Sequence, residues 1–293
     1  MTKLIYDENT YNKSYLPIKY LYKRTIDSNK LIIVFSGFDN PPKYRYTLSL
    51  RGFDCNQLFI LDDYGGRGCY YLGKNPEFLV EKSVSSLINE IINNEDIKKE
   101  NVICAGSSKG GWAALYYAIK YDLGYAVVGA PQIRIVQYLN FSNALDVKEY
   151  MLGKNFDKKE ALNVDNILID LVKEKEKFPK IYVQVGIGDG HHLCKHILPF
   201  EKALRDNNKY MSLKLEKYSD HNDVANFYPA FLCNKIINIF PELKNSLFVN
   251  DININREKNK FSIKIDVNNA TQYAMYVYLN GKELIREKYR KEN

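Results

Sequence analysis

The chain has 293 residues, 45% hydrophobic and 26% charged, a balance that describes a globular protein and excludes a disordered or fibrous one. The net charge is +7, but the lysines are scattered among acids and no aromatic-plus-basic motif accompanies them, so nucleic acid is not an expected partner. No run of about 18 apolar residues occurs, so no membrane span is expected, and the polar, acidic start (Met1 to Glu8) leaves no signal-peptide core; the chain reads as cytoplasmic.

Loose alternation over 15–22 predicts an early edge strand, where Pro17 is tolerable. Leu31 to Phe35 is a continuous apolar run, as expected for a strand buried on both faces. It ends in Ser36-Gly37-Phe38-Asp39-Asn40-Pro41-Pro42, which cannot continue a strand. A second such run, Gln57 to Leu61, enters the glycine-rich loop Asp62 to Gly68. Apolar positions at 78, 79, 84, 87, 88, 91 and 92 predict a helix over 77–93.

Val102 to Ala105 is again a short apolar run. It meets Gly106-Ser107-Ser108-Lys109-Gly110, and an Ala-rich helical pattern follows at once. This strand–turn–helix context is what a nucleophile elbow needs. Ser108 would stand at a helix N-terminus, where free N–H groups favour a developing negative charge. Further strands are expected at 125–128, 181–185 and 212–216, and helices at 146–152, 159–175, 194–207 and 223–239. Residues 132–178 form a helical insertion or lid.

Strands alternating with helices mean a mainly parallel sheet with helices on both faces, all strand C-termini on one edge. Ligands bind along that edge. Ser36-Gly37, Asp62 to Gly68, Ser108, Asp189 and His221 all lie just past strand C-termini.

Past Pro241 the pattern alternates with period two, over 261–267 and 273–279, and Asn280-Gly281 signals a hairpin into 282–289. The expected organisation is an α/β domain over 1–243 and a small β appendage over 244–293. So few strands make too small a core to stand alone, so the appendage is expected either to pack on the first domain or, as the favoured reading, to be an incomplete β-sandwich cut from a longer chain.

A serine hydroxyl attacks only when a base takes its proton and a third group orients that base. His221, in the loop after the last core strand, is the base candidate. Asp189, in the turn after the preceding strand, is the acid candidate; Asp220 and Asp223 are too close to His221 in sequence to reach its Nδ1. The oxyanion donors would be the Lys109 N–H and that of Gly37 or Phe38. Arg67, Tyr70, His191 and His192 are candidates for substrate binding. The Lys109 side chain is expected to snorkel into solvent, because a cation at a helix N-terminus opposes the dipole by roughly 0.3–1 kcal/mol; binding an anionic substrate is its other reading. His191, His192 and His196 lack a second acid ligand, so no metal site is expected. Five cysteines with no CxxC pair argue against a disulfide framework and a structural zinc, and Cys104 and Cys233 read as small core residues.

With these residues located, the chain resembles a bacterial branch of the α/β-hydrolase superfamily that includes capsular-polysaccharide biosynthesis proteins and the accessory Sec component thought to O-acetylate glycans on exported adhesins. The resemblance covers roughly 15–240. It rests on Phe35-Ser36-Gly37-Phe38, on Gly66-Arg67-Gly68-Cys69-Tyr70-Tyr71-Leu72-Gly73, and on Gly106 to Gly111 with Ala114-Leu115-Tyr116-Tyr117. It implies an α/β-hydrolase fold with Ser108, Asp189 and His221 as a triad. The expected function is that of a serine-dependent esterase or O-acyltransferase on a glycan or glycoconjugate, in surface-polysaccharide biosynthesis. The alternatives are a non-catalytic scaffold in polysaccharide assembly and a peptidase. No cofactor is called for: an acyl donor and a glycan or small-molecule ester are substrates, and the β appendage offers a surface for a protein partner.

Overall fold

The computed structural model describes residues 6–245, 248–257, 260–268, 273–279 and 282–290. Eight strands form one sheet in the order β1-β2-β4-β3-β5-β6-β7-β8. They are β1 (Glu8–Tyr11), β2 (Ile18–Lys23), β3 (Leu31–Phe35), β4 (Asn56–Ile60), β5 (Val102–Ser107), β6 (Tyr125–Gly129), β7 (Lys180–Gly186) and β8 (Met211–Glu216). From β4 to β8 every neighbouring pair is parallel, while β2 runs antiparallel to β4 and β1 antiparallel to β2. The predicted edge strand at 15–22 is therefore an inner strand, flanked by β4 and by β1, which the sequence did not signal. β1 is polar and mostly exposed, so it carries no apolar alternation to read.

All residues of β3, β4 and β5 are buried, which is why β3, Leu58 to Ile60 of β4 and Val102 to Ala105 of β5 read as apolar runs, while the buried Asn56 and Gln57 donate to the carbonyls of Ser28 and Leu50. The helices are α1 (Thr47–Leu50), α2 (Leu79–Asn94), α3 (Lys109–Lys120), α4 (Ile135–Phe141), α5 (Leu145–Leu152), α6 (Lys158–Glu174), the short α7 (Gly190–His192), α8 (Leu198–Asp206) and α9 (Val224–Ile239). A π-helical turn, Leu193–Ile197, joins α7 to α8. Helix α3 packs on β3, β5 and β6 and has eleven of its twelve residues buried. The segment between β6 and β7 holds α4, α5 and α6, and α6 starts from a reciprocal capping box between Asp157 and Glu160. Among the described residues no helix is long and apolar enough to cross a membrane.

The connection leaving β3 runs to β4 on one side, and the connection leaving β5 runs to β6 on the other. With right-handed crossovers these lie on opposite faces. The crevice between the C-termini of β3 and β5 is thus the switch point where open α/β sheets bind ligands. Its two walls are the loop at Ser36 and the turn at Ser108.

The chain divides into two compact units, Met1–Leu50 with Cys55–Ile236, and Arg51–Asp54 with Ile237–Asn293. The second holds two antiparallel pairs, β9 (Phe248–Glu257) with β10 (Lys260–Asn268) and β11 (Tyr273–Leu279) with β12 (Lys282–Arg290). The Asn280-Gly281 turn lies outside the described residues. Cys104 is buried, as expected, but Cys233 is only partly so.

Candidate functional site

Strand β5 ends at Ser107 and α3 begins at Lys109, which leaves one residue, Ser108, to reverse the chain. Its φ of 56° and ψ of −122° are unusual for a residue with a side chain. The turn closes only because its flanks are glycines. A Cβ on Gly106 would lie 2.4 Å from the Gly110 carbonyl oxygen, and one on Gly110 would lie 2.2 Å from that of Phe35. The Ser108 N–H is held by the Gly129 carbonyl at 2.8 Å, so the side chain is presented from a fixed backbone.

Ser108 Oγ lies 2.9 Å from His221 Nε2, and His221 Nδ1 lies 3.0 Å from Asp189 Oδ2. Three residues from three loops on one sheet edge are thereby joined in a chain of hydrogen bonds. An ionised Asp189 requires the proton on His221 Nδ1, which leaves Nε2 to accept from the serine hydroxyl. Burial by itself would raise the Asp189 carboxyl, but hydrogen bonds from His192 and His221 outweigh it and hold the group below its ordinary value.

His192 takes the other carboxylate oxygen: its Nδ1 is 2.9 Å from Asp189 Oδ1. Its ring stacks on that of His221 with centroids 3.6 Å apart and planes 6° from parallel. Burial keeps the His192 imidazole below its ordinary value. Asp189, His192 and His221 each place one potential ligand atom within 4.8 Å of the others, the spacing of a small metal group. Both Nδ1 atoms are instead at hydrogen-bond distance from the carboxylate.

The backbone donors follow by elimination. The Ser108 N–H is committed to Gly129, and the Ser36 N–H donates to Tyr71 Oη at 2.5 Å. The N–H groups of Gly37, Phe38 and Lys109 have no acceptor among the described residues. They flank the crevice from the two sides that the sequence nominated.

The Lys109 side chain corrects its expectation. It does not snorkel out but is 1% exposed, with Nζ 2.6 Å from Oδ2 of the fully buried Asp62. Asp62 also accepts from the Cys69 N–H at 2.8 Å and the Tyr71 N–H at 3.2 Å. Residue 68 must be glycine here, with φ of 96°, because a Cβ would meet Lys109 Nζ at 2.2 Å. Lys109 Nζ also lies 5.6 Å from the Phe38 ring centroid and 5.2 Å from that of Tyr71. One buried ammonium therefore fastens the elbow to the glycine-rich loop and to the Ser36–Phe38 loop. An anionic substrate cannot reach it.

The substrate-binding candidates separate. Arg67 pairs with Asp146 of α5 through both guanidinium and carboxylate, so its charge is already matched. Tyr70 is fully buried and does not face substrate. It donates from its hydroxyl to Gln132 Oε1 at 2.6 Å, and Gln132 Nε2 lies 2.5 Å from Ser108 Oγ. Gln132 is the functional-site residue that sequence reading missed; its signal was its place, three residues past the C-terminus of β6. His191 is half-buried and stacks face to face on the exposed Phe141 at 3.6 Å. Tyr138 of α4 stands between Phe38 and the histidines, 6.3 Å from the first and 5.4 Å from His192.

His196 is fully buried. Its Nδ1 accepts from the Arg134 N–H at 3.2 Å, and its Nε2 lies 3.3 Å from His191 Nε2. Burial, then the neighbouring His192, His191 and Arg134, pull its imidazole down to about 3. A histidine whose folded value lies below its unfolded value of about 6.5 adds stability that is full above 6.5 and is lost as pH falls towards 3. Between pH 6.5 and pH 5 this removes about 2 kcal/mol. Thermal melts at those two pH values are expected to show that loss, and His196→Gln, which does not titrate, to reduce the difference.

No protein-family model matches the chain. Over 126 residues it is 25% identical to an accessory Sec system protein of Staphylococcus aureus, a match covering 40% of this chain and 24% of that protein. The chain thus spans about a quarter of the length of that relative. Among solved structures it is similar to the capsule O-acetyltransferase of Neisseria meningitidis serogroup A, with a TM-score of 0.67, 24% identity and coverage of 81% of this chain and 96% of that one. A histidine-to-alanine mutant of that enzyme is known in complex with CoA. An S-formylglutathione hydrolase from Agrobacterium tumefaciens matches with a TM-score of 0.57 at 15% identity, over 78% of this chain and 92% of that one. Sheet order, the turn at Ser108 and these likenesses lead to one statement: the chain has the α/β-hydrolase fold.

Proposed function

We propose that the protein is a serine-dependent acyl-transfer enzyme that moves an acyl group from an activated donor to a hydroxyl of a glycan or glycoconjugate. The observation that carries the reading is the unbroken chain Ser108 Oγ, His221 Nε2, His221 Nδ1, Asp189 Oδ2, with links of 2.9 and 3.0 Å. Ser108 Oγ attacks the acyl carbonyl carbon as His221 Nε2 takes its proton. Asp189 holds the imidazole in the required tautomer and stabilises the imidazolium. The Lys109 N–H, with that of Gly37 or Phe38, stabilises the oxyanion of the tetrahedral intermediate. The imidazolium gives its proton to the departing group, which leaves an ester on Ser108. A second hydroxyl then repeats the sequence: water makes the protein an esterase, a sugar hydroxyl makes it an O-acyltransferase.

Support for a sugar acceptor comes from the likeness to a capsule O-acetyltransferase, and the match to an accessory Sec system protein agrees with the branch that the sequence resembles. Support for a thioester donor comes from the CoA complex of that acetyltransferase mutant. A fluorophosphonate probe tests the chemistry before any substrate is known. Stoichiometric labelling of Ser108 is expected, and none in Ser108→Ala. A well-folded wild-type protein that takes no label would remove the reading and leave the scaffold role in its place.

A further inference from the structure

Gln132 occupies a position that the chemistry above does not explain. Its amide nitrogen lies 2.5 Å from Ser108 Oγ, closer than His221. The amide cannot turn away. Its oxygen accepts from the Tyr70 hydroxyl at 2.6 Å, and Tyr70 is wedged edge-on between Phe38 and Trp112. The Gln132 backbone N–H points to the Ser108 carbonyl at 3.4 Å. Gln132 itself is fully buried, so every polar atom of its side chain must find its partner inside the protein.

An amide donor on a nucleophilic oxygen is at first sight a handicap, since it ties up a lone pair that attack could use. Its value depends on which state of the oxygen it meets. As a hydroxyl, Oγ is a moderate acceptor. As the bridging oxygen of an ester it is a poor one, because a lone pair is delocalised into the carbonyl. As the oxygen departing with the electron pair of the C–O bond it is a strong one. A fixed donor therefore gains most on going from acyl-enzyme to the transition state for its breakdown, and less on going from free enzyme to the transition state for acylation.

Resting on the acyl-transfer reading, we propose that Gln132 is a catalytic residue that stabilises Ser108 Oγ as the leaving group of the acyl-enzyme. In that step the acceptor oxygen bonds to the acyl carbon and its proton passes to His221 Nε2. The tetrahedral intermediate then breaks the C–Oγ bond, the electron pair returns to Oγ, and His221 Nε2 delivers the proton there. The Gln132 Nε2–H donates to Oγ throughout and is not consumed. Tyr70 is a positioning residue, since it acts on Oγ only through the amide.

The test separates the two half-reactions with p-nitrophenyl acetate as probe. The burst of nitrophenol reports acylation, the steady state reports deacylation, and intact-protein mass reports acetyl on Ser108. Gln132→Leu is expected to keep its burst rate within a few-fold of wild type and to lose roughly 10- to 100-fold in steady-state turnover, with acetyl-enzyme accumulating. Gln132→Glu, which preserves the shape but places an acceptor against the oxygen, is expected to lose at least as much. Tyr70→Phe removes one hydroxyl and is expected to shift the same ratio by a smaller factor. A uniform fall of both phases, or no change in either, overturns the proposal. If the wild-type protein shows neither burst nor fluorophosphonate label, the acyl-transfer reading has failed and this proposal falls with it. If wild type is labelled and shows a burst but the variants do not change the ratio, only the Gln132 assignment has failed.

Discussion

Replacing His221 by alanine is expected to lower kcat by roughly 10^6-fold, and Asp189→Asn by roughly 10^4-fold, in any assay that the wild-type protein supports. The ranking follows from the geometry. Without His221 no group hydrogen-bonded to Ser108 Oγ among the described residues takes its proton, since the other partner of Oγ is an amide donor. Asparagine at 189 retains the shape, but an amide nitrogen facing Nδ1 forces the imidazole into the other tautomer, whose Nε2 donates rather than accepts. Here the effect has a second route. Asp189 binds two imidazoles, one on each oxygen. An amide can accept at only one atom, so one of the stacked pair must turn. A His192→Ala control distinguishes the routes: it retains Asp189 and His221 but removes the stacking face. Its expected cost is far smaller, with the change in kcat rather than KM. Equal activity of Asp189→Asn and wild type would remove Asp189 from the mechanism.

Lys109→Met is expected to cost about 3–5 kcal/mol of stability, because it strips the cation from a carboxylate that is 0% exposed. A fold of this kind has about 5–15 kcal/mol in all, so the variant should melt well below wild type or express poorly. The Cys69 and Tyr71 N–H groups remain on Asp62 and soften the loss without matching the missing charge. The double variant Lys109→Met with Asp62→Asn removes both charges, so it is expected to be more stable than the sum of the two single losses by about 1–3 kcal/mol. Urea denaturation of the four proteins closes the cycle. Strictly additive losses would show that the pair does not interact and that Lys109 is held by packing alone. Even a folded Lys109→Met should be a poor catalyst, since the Lys109 and Phe38 N–H groups both depend on what this side chain ties together.

Legibility in the sequence followed burial and local geometry. The strands at 31–35, 57–61 and 102–105 could be read because both faces of each are covered, which favours apolar residues nearly throughout; the buried Gln57 is the exception, and it donates to the Leu50 carbonyl. β1 could not, because a mostly exposed edge strand has no such constraint. Ser108 was legible through its glycines, which mark a backbone approach closer than any Cβ allows. Asp189 and His221 could be nominated because parallel strands deliver their C-terminal loops to one edge. What was misread or missed depends on partners far along the chain. Lys109 finds Asp62 47 positions away, Tyr70 finds Gln132 62 positions away, and Gln132 finds Ser108 24 positions away. A lysine at a helix N-terminus looks like a surface residue until an acid is placed within the core to meet it.

The sequence by itself determined the class of fold and the order of the elements, because apolar periodicity and glycine placement are local consequences of burial and of backbone sterics. It also determined which residue types could stand on the ligand-binding edge. Only the tertiary structure decided what each of them touches there. Hydrogen bonds form within about 3 Å, and no local pattern encodes a distance of that size between residues in different loops. Packing the sheet set those distances. It turned Lys109 from a solvent cation into a buried clamp, gave Asp189 two histidines instead of one, and brought the unannounced amide of Gln132 against Ser108.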